Sequence, residues 1–589
     1  MINQTTFLSA LESAYEEVVK EHHRANELAI GTFTLEENPT LALLLIERVV
    51  SRQGKLDTLQ QFFKRFQVPL KKPTAPTRNP ELQYLFDKYN SKNRAPSKNK
   101  AMFRAMESEY QKAILSYEKR LKAFKIGAEY HESITHFYHQ TPDSYLQYIR
   151  DAMGEAHYTF FGRVRTLYLP ETHRAQNAYL VGRIGTGKSE TLKTLVHHNV
   201  KDESAAVILL DPHNDLAQEV IRLKDFRDNG RLVFIDPGLS HSHTPALNPF
   251  DIEERSPNGI NTATTDLYEI FAELISGSGA VFTLQMESVL KHCIKVLLTM
   301  GNRSILDLIQ FMDKNRNEEY IRFALENMEL ETDREYFRRD FVDDTQLART
   351  KEGIRTKLMS QLTDRVFNHF LTKPQSFDLK AEMEKKSVIV FNLSDDKSRV
   401  LGRFILAKIK NIALNRARTP KSQRVPTFVY CDESHLFITP SIKNTLTQAR
   451  KFRVSLCMAS QTYGQEMNSA LKEIVSGCTT IKMTSKNANK SNTEFSAETK
   501  VDKNELENLR GAEFMVKIDS ISPKEIELPG ILVHPPEHLL GFKYAMSRED
   551  WKKERERQIK SFYVPLSEDT TTQPSKPTKG RRLTGKIDL

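Results

Sequence analysis

Residues 182–189 read GRIGTGKS, an instance of G-x-x-x-x-G-K-[ST]. The apolar run AYLV precedes it and the helix-forming stretch ETLKTLV follows. A strand, a glycine-rich turn and a helix in that order make a phosphate-binding loop, and such a loop commits the chain to an α/β architecture. Glycines let the backbone curl until successive N–H groups face phosphate oxygens, and the helix N-terminus adds the positive end of its dipole. Gly182, Arg183, Ile184, Gly185, Thr186 and Gly187 form the expected cradle, with Glu190 in the first helical turn. Lys188 is expected to reach the β- and γ-phosphates, and the Ser189 hydroxyl to bind Mg²⁺. A GTP site carries an N-K-x-D motif that reads the base; the nearest match, NKSN at 489–492, lacks the Asp. ATP is therefore the expected nucleotide.

A second element completes such an engine. Residues 427–433 read TFVYCDE, an apolar strand ending in two acids. Asp432 is positioned to hold Mg²⁺ through water, and Glu433 to activate the attacking water as general base. The next apolar run, 453–460, ends at Gln461, whose amide can hydrogen-bond both a γ-phosphate and a water. Between them, 441–452 reads as a helix ending in Arg450 and Lys451, cations that suit the negative end of a helix dipole.

Short apolar runs at 178–182, 205–211, 232–236, 388–393, 427–431 and 454–460 alternate with helical stretches, and 479–483 and 514–518 complete the set. This alternation predicts a mostly parallel sheet covered on both faces. Residues 260–380 carry only helical patterns and read as an inserted all-helical subdomain. Residues 1–150 read as a helical, partner-binding region. Leu8, Leu11, Tyr15, Val18 and His22 form one stripe; Phe103, Met106, Tyr110, Ala113, Tyr117, Leu121 and Phe124 form another, each expected to bury a helix face. KKPTAPTRNP (71–80) and SKNRAPSKNK (91–100) read as exposed basic connectors. The expected divisions are 1–150, a core in two parts (151–259 and 381–545) around the 260–380 insertion, and 546–589 as a helix with a disordered basic tail.

The longest apolar runs, such as 41–46, fall far short of the ~20 residues that span a bilayer. No charged segment followed by an apolar one opens the chain, so no secretory leader is expected. Four scattered cysteines without a CxxC suit a reducing compartment, and a cytoplasmic protein is expected. The net charge of +10 suits a polyanionic partner, although a chain of this length also reaches it without one. Lys482, Lys486, Lys490, Lys500 and Lys503 read either as a solvated face or as a channel lining that touches DNA phosphates. His131, His136 and His139, like the pairs His22–His23 and His197–His198, lack metal-ligand spacing. No helix-turn-helix or zinc-finger pattern is present, so any DNA binding is expected to be sequence-nonspecific.

The stretches GRIGTGKSE, VILLDPHNDLAQEVI, ALNPF, FVYCDESHLFITP and QARKFRVSLCMASQTYGQ resemble the FtsK–HerA superfamily of DNA motors. Within it the chain most resembles the TraG/TraD-type coupling ATPases of conjugation and type IV secretion, over about residues 170–535. The resemblance implies a RecA-like P-loop NTPase core, ATP hydrolysis in a homo-hexameric ring that translocates DNA, and relaxosome or secretion-channel proteins as partners. It implies that Arg450 reaches the γ-phosphate of a neighbouring subunit. It also implies that Asp211, His213 and Asn248 lie near the nucleotide or a subunit interface; a helix-capping Asp and a turn His read equally well. Many coupling proteins begin with transmembrane helices and this sequence has none, so membrane attachment is expected to be peripheral, at the inner membrane and through partners. Residues 1–150 match no family. Four other readings share these residues: a secretion-assembly ATPase acting on protein subunits, a HerA-like DNA-processing helicase or translocase, a D-E-x-H helicase, and a nucleotide-gated scaffold. The D-E-x-H reading lacks its Q-x-x-G-R-x-x-R element, and intact Lys188, Asp432 and Glu433 oppose the scaffold.

Overall fold

The structure is a computed structural model. It describes residues 4–19, 28–52, 74–77, 80, 83–84, 100–129, 160–169, 171–227, 229–276, 282–343, 345–373, 375–394, 398–438, 446–465, 467–520, 526–535 and 545–566. His22, His23, the three histidines of 131–139, residues 91–99, the first part of the 441–452 helix and the 567–589 tail lie outside the described residues. The chain forms two compact units. The first comprises Met1–Leu195, Ala459–Gln465 and Ser476–Leu539; the second comprises Val196–Met458, Glu466–Val475 and Leu540–Leu589.

The strands are β1 (Leu28–Phe33), β2 (Arg165–Leu169), β3 (Asn177–Val181), β4 (Ala206–Asp211) and β5 (Leu232–Ile235). They continue with β6 (His243–Thr244), β7 (Val388–Asn392), β8 (Thr427–Cys431) and β9 (Val454–Ser460). The last four are β10 (Thr479–Thr484), β11 (Phe514–Ile518), β12 (Ile531–Val533) and β13 (Val564–Pro565).

In the first unit the strand order is β12-β11-β10-β3, followed by the last two residues of β9. β10 runs parallel to β3, while β11 and β12 are antiparallel additions. Every residue of β3 is buried, as a central strand covered on both faces requires. The outer strand β12 is closed by a side chain: Asn38 Nδ2 donates to the Leu532 carbonyl at 3.1 Å, and the Leu532 N–H donates back to Asn38 Oδ1. Helices Gln4–Val19 and Pro39–Arg52 bury Leu11, Tyr15 and Val18 on one side and Leu41, Leu45, Ile46 and Val49 on the other. Two findings depart from the sequence reading. A strand, β1, lies inside the region read as helical and pairs antiparallel with β2. In helix Lys100–Glu129 the stripe residues Tyr110, Ala113, Tyr117 and Leu121 are only half-buried, and Leu115 beside them is 63% exposed, so the expected face burial is not seen there.

In the second unit β9, β8, β4, β7 and β5 follow in that order, each parallel to its neighbour. The strands match the apolar runs of the sequence to within a residue or two because each is buried on both faces. Between β6 and β7 the described secondary-structure elements are all helices, including Pro257–Ser276, Leu284–Met300, Ile305–Met312, Glu318–Asn327, Thr345–Gln361 and Arg365–Thr372. The rings of Phe311, Phe337 and Phe341 meet pairwise at 5.2–5.6 Å, the first two stacked and Phe341 steeply inclined to both, and form an aromatic cluster among these helices. The ammonium of Lys410 and the carboxylate of Asp266 form a fully buried ion pair joining helices Ser398–Asn415 and Pro257–Ser276. The free edge of β5 is covered by helix Arg548–Phe562. Gln558 accepts from the Phe234 N–H at 2.8 Å and donates to the Leu232 carbonyl at 2.7 Å. The Tyr563 hydroxyl donates to the Phe234 carbonyl and accepts from the Asp236 N–H. Among the described residues no helix is long and apolar enough to cross a membrane.

Candidate nucleotide site

The cradle begins where β3 ends. Gly185 and Gly187 hold φ of 79° and 87°, left-handed values that side-chain-bearing residues rarely adopt, and helix Lys188–Lys201 starts immediately after. Gly182 is required for a different reason: a Cβ there would lie 2.3 Å from Ser485 Oγ and 2.7 Å from Thr186 Oγ1. The loop is braced from outside. Ser485 Oγ donates to Thr186 Oγ1 at 2.6 Å, and the Thr186 hydroxyl donates to the Arg183 carbonyl at 2.7 Å. The Ala512 N–H donates to the Thr186 carbonyl at 3.1 Å, and the Gly182 N–H to the Ser460 carbonyl at 3.1 Å. Lys188 is 7% exposed, whereas Ile184 at the lip is 84% exposed. Arg183 and Ser189 are exposed as well. The Glu190 carboxylate pairs with the buried Lys193 ammonium at 2.7 Å, which fixes it to its own helix.

Gln461 leaves the end of β9 half-buried, directly after the residue whose carbonyl receives the Gly182 N–H. The structure thus brings the cradle and the Gln461 turn together within the first unit.

In the second unit the fully buried β8 delivers Asp432 and Glu433, both 5% exposed. The Asp432 N–H donates to the Leu210 carbonyl at 3.1 Å, and Asp432 Oδ1 accepts the Glu433 N–H at 2.9 Å. Glu433 sits at φ 43°, ψ 49°, a left-handed conformation that costs a side-chain-bearing residue of order 1–3 kcal/mol. Strain of this kind persists only where the surroundings impose it, and here it redirects the acid from the strand's path. His435 Nδ1 approaches Glu433 Oε2 at 3.4 Å, both groups being buried. Burial and, more weakly, the neighbouring Asp432 charge raise the Asp211 carboxyl above its usual range, while backbone hydrogen bonds oppose the shift. Burial also pushes the Cys457 thiol up to about 12, so this cysteine is inert as a nucleophile near neutrality.

Several candidates have plain structural partners. Asp211 accepts the N–H groups of His213 and Ala217 at 2.9 and 2.8 Å, the capping arrangement for helix Asp215–Val220, and His213 is an exposed turn residue. Asn248 holds the Arg303 carbonyl at 2.7 Å and the Phe250 N–H at 3.0 Å. Arg450 is exposed on the short helical turn Ala449–Phe452. The lysine cluster is not one lining. Lys482 is buried between Glu498 (3.1 Å) and Asp519 (2.9 Å), Lys500 pairs with Glu527 and Lys503 with Glu507, leaving Lys486 and Lys490 exposed. Among the described residues no group of His, Cys, Asp and Glu could hold a metal by itself. The sequence reading missed Ser485 and Ala512 as braces of the loop, since nothing local marks a serine after β10 or an alanine before β11.

The fold and the loop define a RecA-like P-loop α/β protein. The chain belongs to the family described as the type IV secretion-system coupling protein DNA-binding domain, which matches residues 163–523. Among solved structures it is similar to the plasmid coupling protein TrwB in complex with a non-hydrolysable ATP analogue, with 16% identity and a TM-score of 0.48 over 65% of this chain and 89% of that one. It is also similar to VirB4 of Thermoanaerobacter pseudethanolicus, with 14% identity and a TM-score of 0.42 over 62% of this chain and 91% of that one. No curated protein matches the chain.

Proposed function

We propose that this protein is the ATP-hydrolysing subunit of a type IV secretion coupling motor that moves DNA without sequence preference. The observation that carries the reading is the cradle itself: two left-handed glycines, a helix N-terminus and a buried lysine in the family of coupling-protein DNA-binding domains. In this reading the loop N–H groups and Lys188 bind the triphosphate. Glu433 orients the attacking water and takes its proton, and Gln461 senses the γ-phosphate. Arg450 completes the site of the adjacent subunit in a hexameric ring. The oxygen donors of Ser189 and Asp432 suit a magnesium ion, and the burial of Asp432 favours pairing with a cation. When bound, the ion neutralises charge on the phosphates. The protein then works at the cytoplasmic side of a secretion channel, attached through relaxosome or channel partners.

The test is ATP turnover by the full chain with single-stranded DNA, double-stranded DNA or neither, for wild type, Lys188→Ala and Glu433→Gln. DNA-stimulated hydrolysis that both variants abolish, with nucleotide binding kept in Glu433→Gln, supports the motor. Stimulation by protein cargo alone would instead indicate a secretion-assembly ATPase. Binding without turnover would indicate a nucleotide-gated scaffold.

A further inference from the structure

The turn that carries Gln461 is anchored on every side of that residue. Tyr179, in the middle of β3, is fully buried, and its hydroxyl lies 2.8 Å from Ser460 Oγ. The Gly464 N–H donates to the same phenolic oxygen at 3.1 Å. Ser460 Oγ donates to the Thr462 carbonyl at 3.1 Å. A hydroxyl has one proton, so these bonds fix their own direction: Ser460 gives its proton to Thr462, and Tyr179 gives its proton to Ser460. One phenol thereby ties residue 460 to residue 464, and Gln461 lies inside the loop so closed. Gly464 takes φ 61° to make that closure.

The far side of the turn is held separately. The Tyr463 N–H donates to Ser491 Oγ at 3.3 Å, its ring packs on Phe495 at 5.0 Å, and its hydroxyl donates to Glu498 at 3.3 Å. Tyr179 and Tyr463 rings meet at 5.6 Å. A buried tyrosine usually finds some partner for its hydroxyl. Here both partners belong to one five-residue turn, and the strand supplying the phenol is the one that runs into the phosphate cradle three residues later.

We infer that Tyr179 is a positioning residue for nucleotide hydrolysis: its hydroxyl, bridging Ser460 and Gly464, sets Gln461 against the cradle that β3 delivers. The inference rests on the proposed role of Gln461. Removing the bridge leaves the cradle's own bonds in place, so nucleotide capture is retained while the sensing amide loses its fixed geometry.

The experiment is a double-mutant cycle on the full chain, reading kcat and KM for ATP under DNA stimulation. Tyr179→Phe keeps the ring and deletes only the hydroxyl. The expected result is a kcat about tenfold lower with KM nearly unchanged, the size of one lost orienting hydrogen bond. Ser460→Ala, which cuts the same bridge from its other end, is expected to act in the same direction. In a Gln461→Ala background, neither change is expected to lower kcat further. A purely structural tyrosine would lower both backgrounds by the same factor, and that outcome, or a wild-type kcat for Tyr179→Phe, overturns the inference. If Gln461→Ala alone hydrolyses at the wild-type rate, the sensor assignment itself fails and takes the inference with it. A normal loss in Gln461→Ala beside an unaffected Tyr179→Phe sinks only the inference.

Discussion

Replacing Gln558 by leucine opens the edge of β5 without emptying the space beneath helix Arg548–Phe562. Gln558 is fully buried, and its Oε1 is the acceptor for the Phe234 N–H. β5 pairs with β7 on its other side, so that N–H has no strand to turn to. A buried donor left without an acceptor costs about 1–3 kcal/mol. The Leu232 carbonyl adds nothing to this, because Arg557 Nη2 also donates to it at 2.7 Å. A domain of 150–250 residues loses about 2–4 °C of Tm per kcal/mol and this larger unit loses less, so the drop is at most about 12 °C. The assay is thermal unfolding together with hydrogen exchange of the peptide that contains 232–236. Exchange is expected to rise there and remain unchanged over β4 and β8. Tyr563→Phe, which removes the acceptor of the Asp236 N–H, is expected to give a second increase in the same peptide. If Gln558→Leu leaves both Tm and the exchange of 232–236 at wild-type values, the side chain is not closing that edge.

Asp266→Ala strands the buried Lys410 ammonium and is expected to cost about 3–5 kcal/mol, whereas Asp266→Leu with Lys410→Met restores most of the stability in denaturant titrations. Burial lowers the pKa of His197, and Asp225 only partly opposes this. The unfolded chain then takes up the proton first, so stability is present above the ordinary histidine value of about 6.5 and is lost as pH falls below it. His197→Gln is expected to flatten the fall of Tm between neutral and mildly acid pH. Gly182→Ala forces a methyl group against Ser485 and Thr186 and is expected to weaken nucleotide binding at least about tenfold by calorimetry, an effect of the order of a 1–3 kcal/mol packing strain. Mixing Arg450→Ala with wild-type subunits is expected to give less activity than the average of the two; simple averaging would remove Arg450 from the neighbour's site.

What the sequence made legible follows from burial. β4, β7, β8 and β9 are apolar along their whole length because they are covered on both faces, so their bounds stood out from the flanking turns. The short outer pieces did not. β1 is six residues with a glycine inside it, and its partner β2 lies more than a hundred residues on, so no local rhythm announces the pair. Asn38 and Gln558 read as ordinary polar residues, since closing a strand edge depends on where the helix lands. The cradle was legible because its glycines act locally, through φ. Its braces were not, because Ser485 and Ala512 act through tertiary contact. Lys482 misled for the same reason: the acids that neutralise it, Glu498 and Asp519, lie 16 and 37 residues downstream.

The bracing of the cradle also orders events on the ribosome. Ser485 follows Thr186 by 299 residues, and Ala512 comes later still. At about 5–20 residues per second, the glycine loop waits roughly 15–60 s for the segments that hold it in shape. A nascent chain therefore carries the glycine motif long before it carries the clamp, and the loop stays unbraced until Ser485 and then Ala512 have emerged.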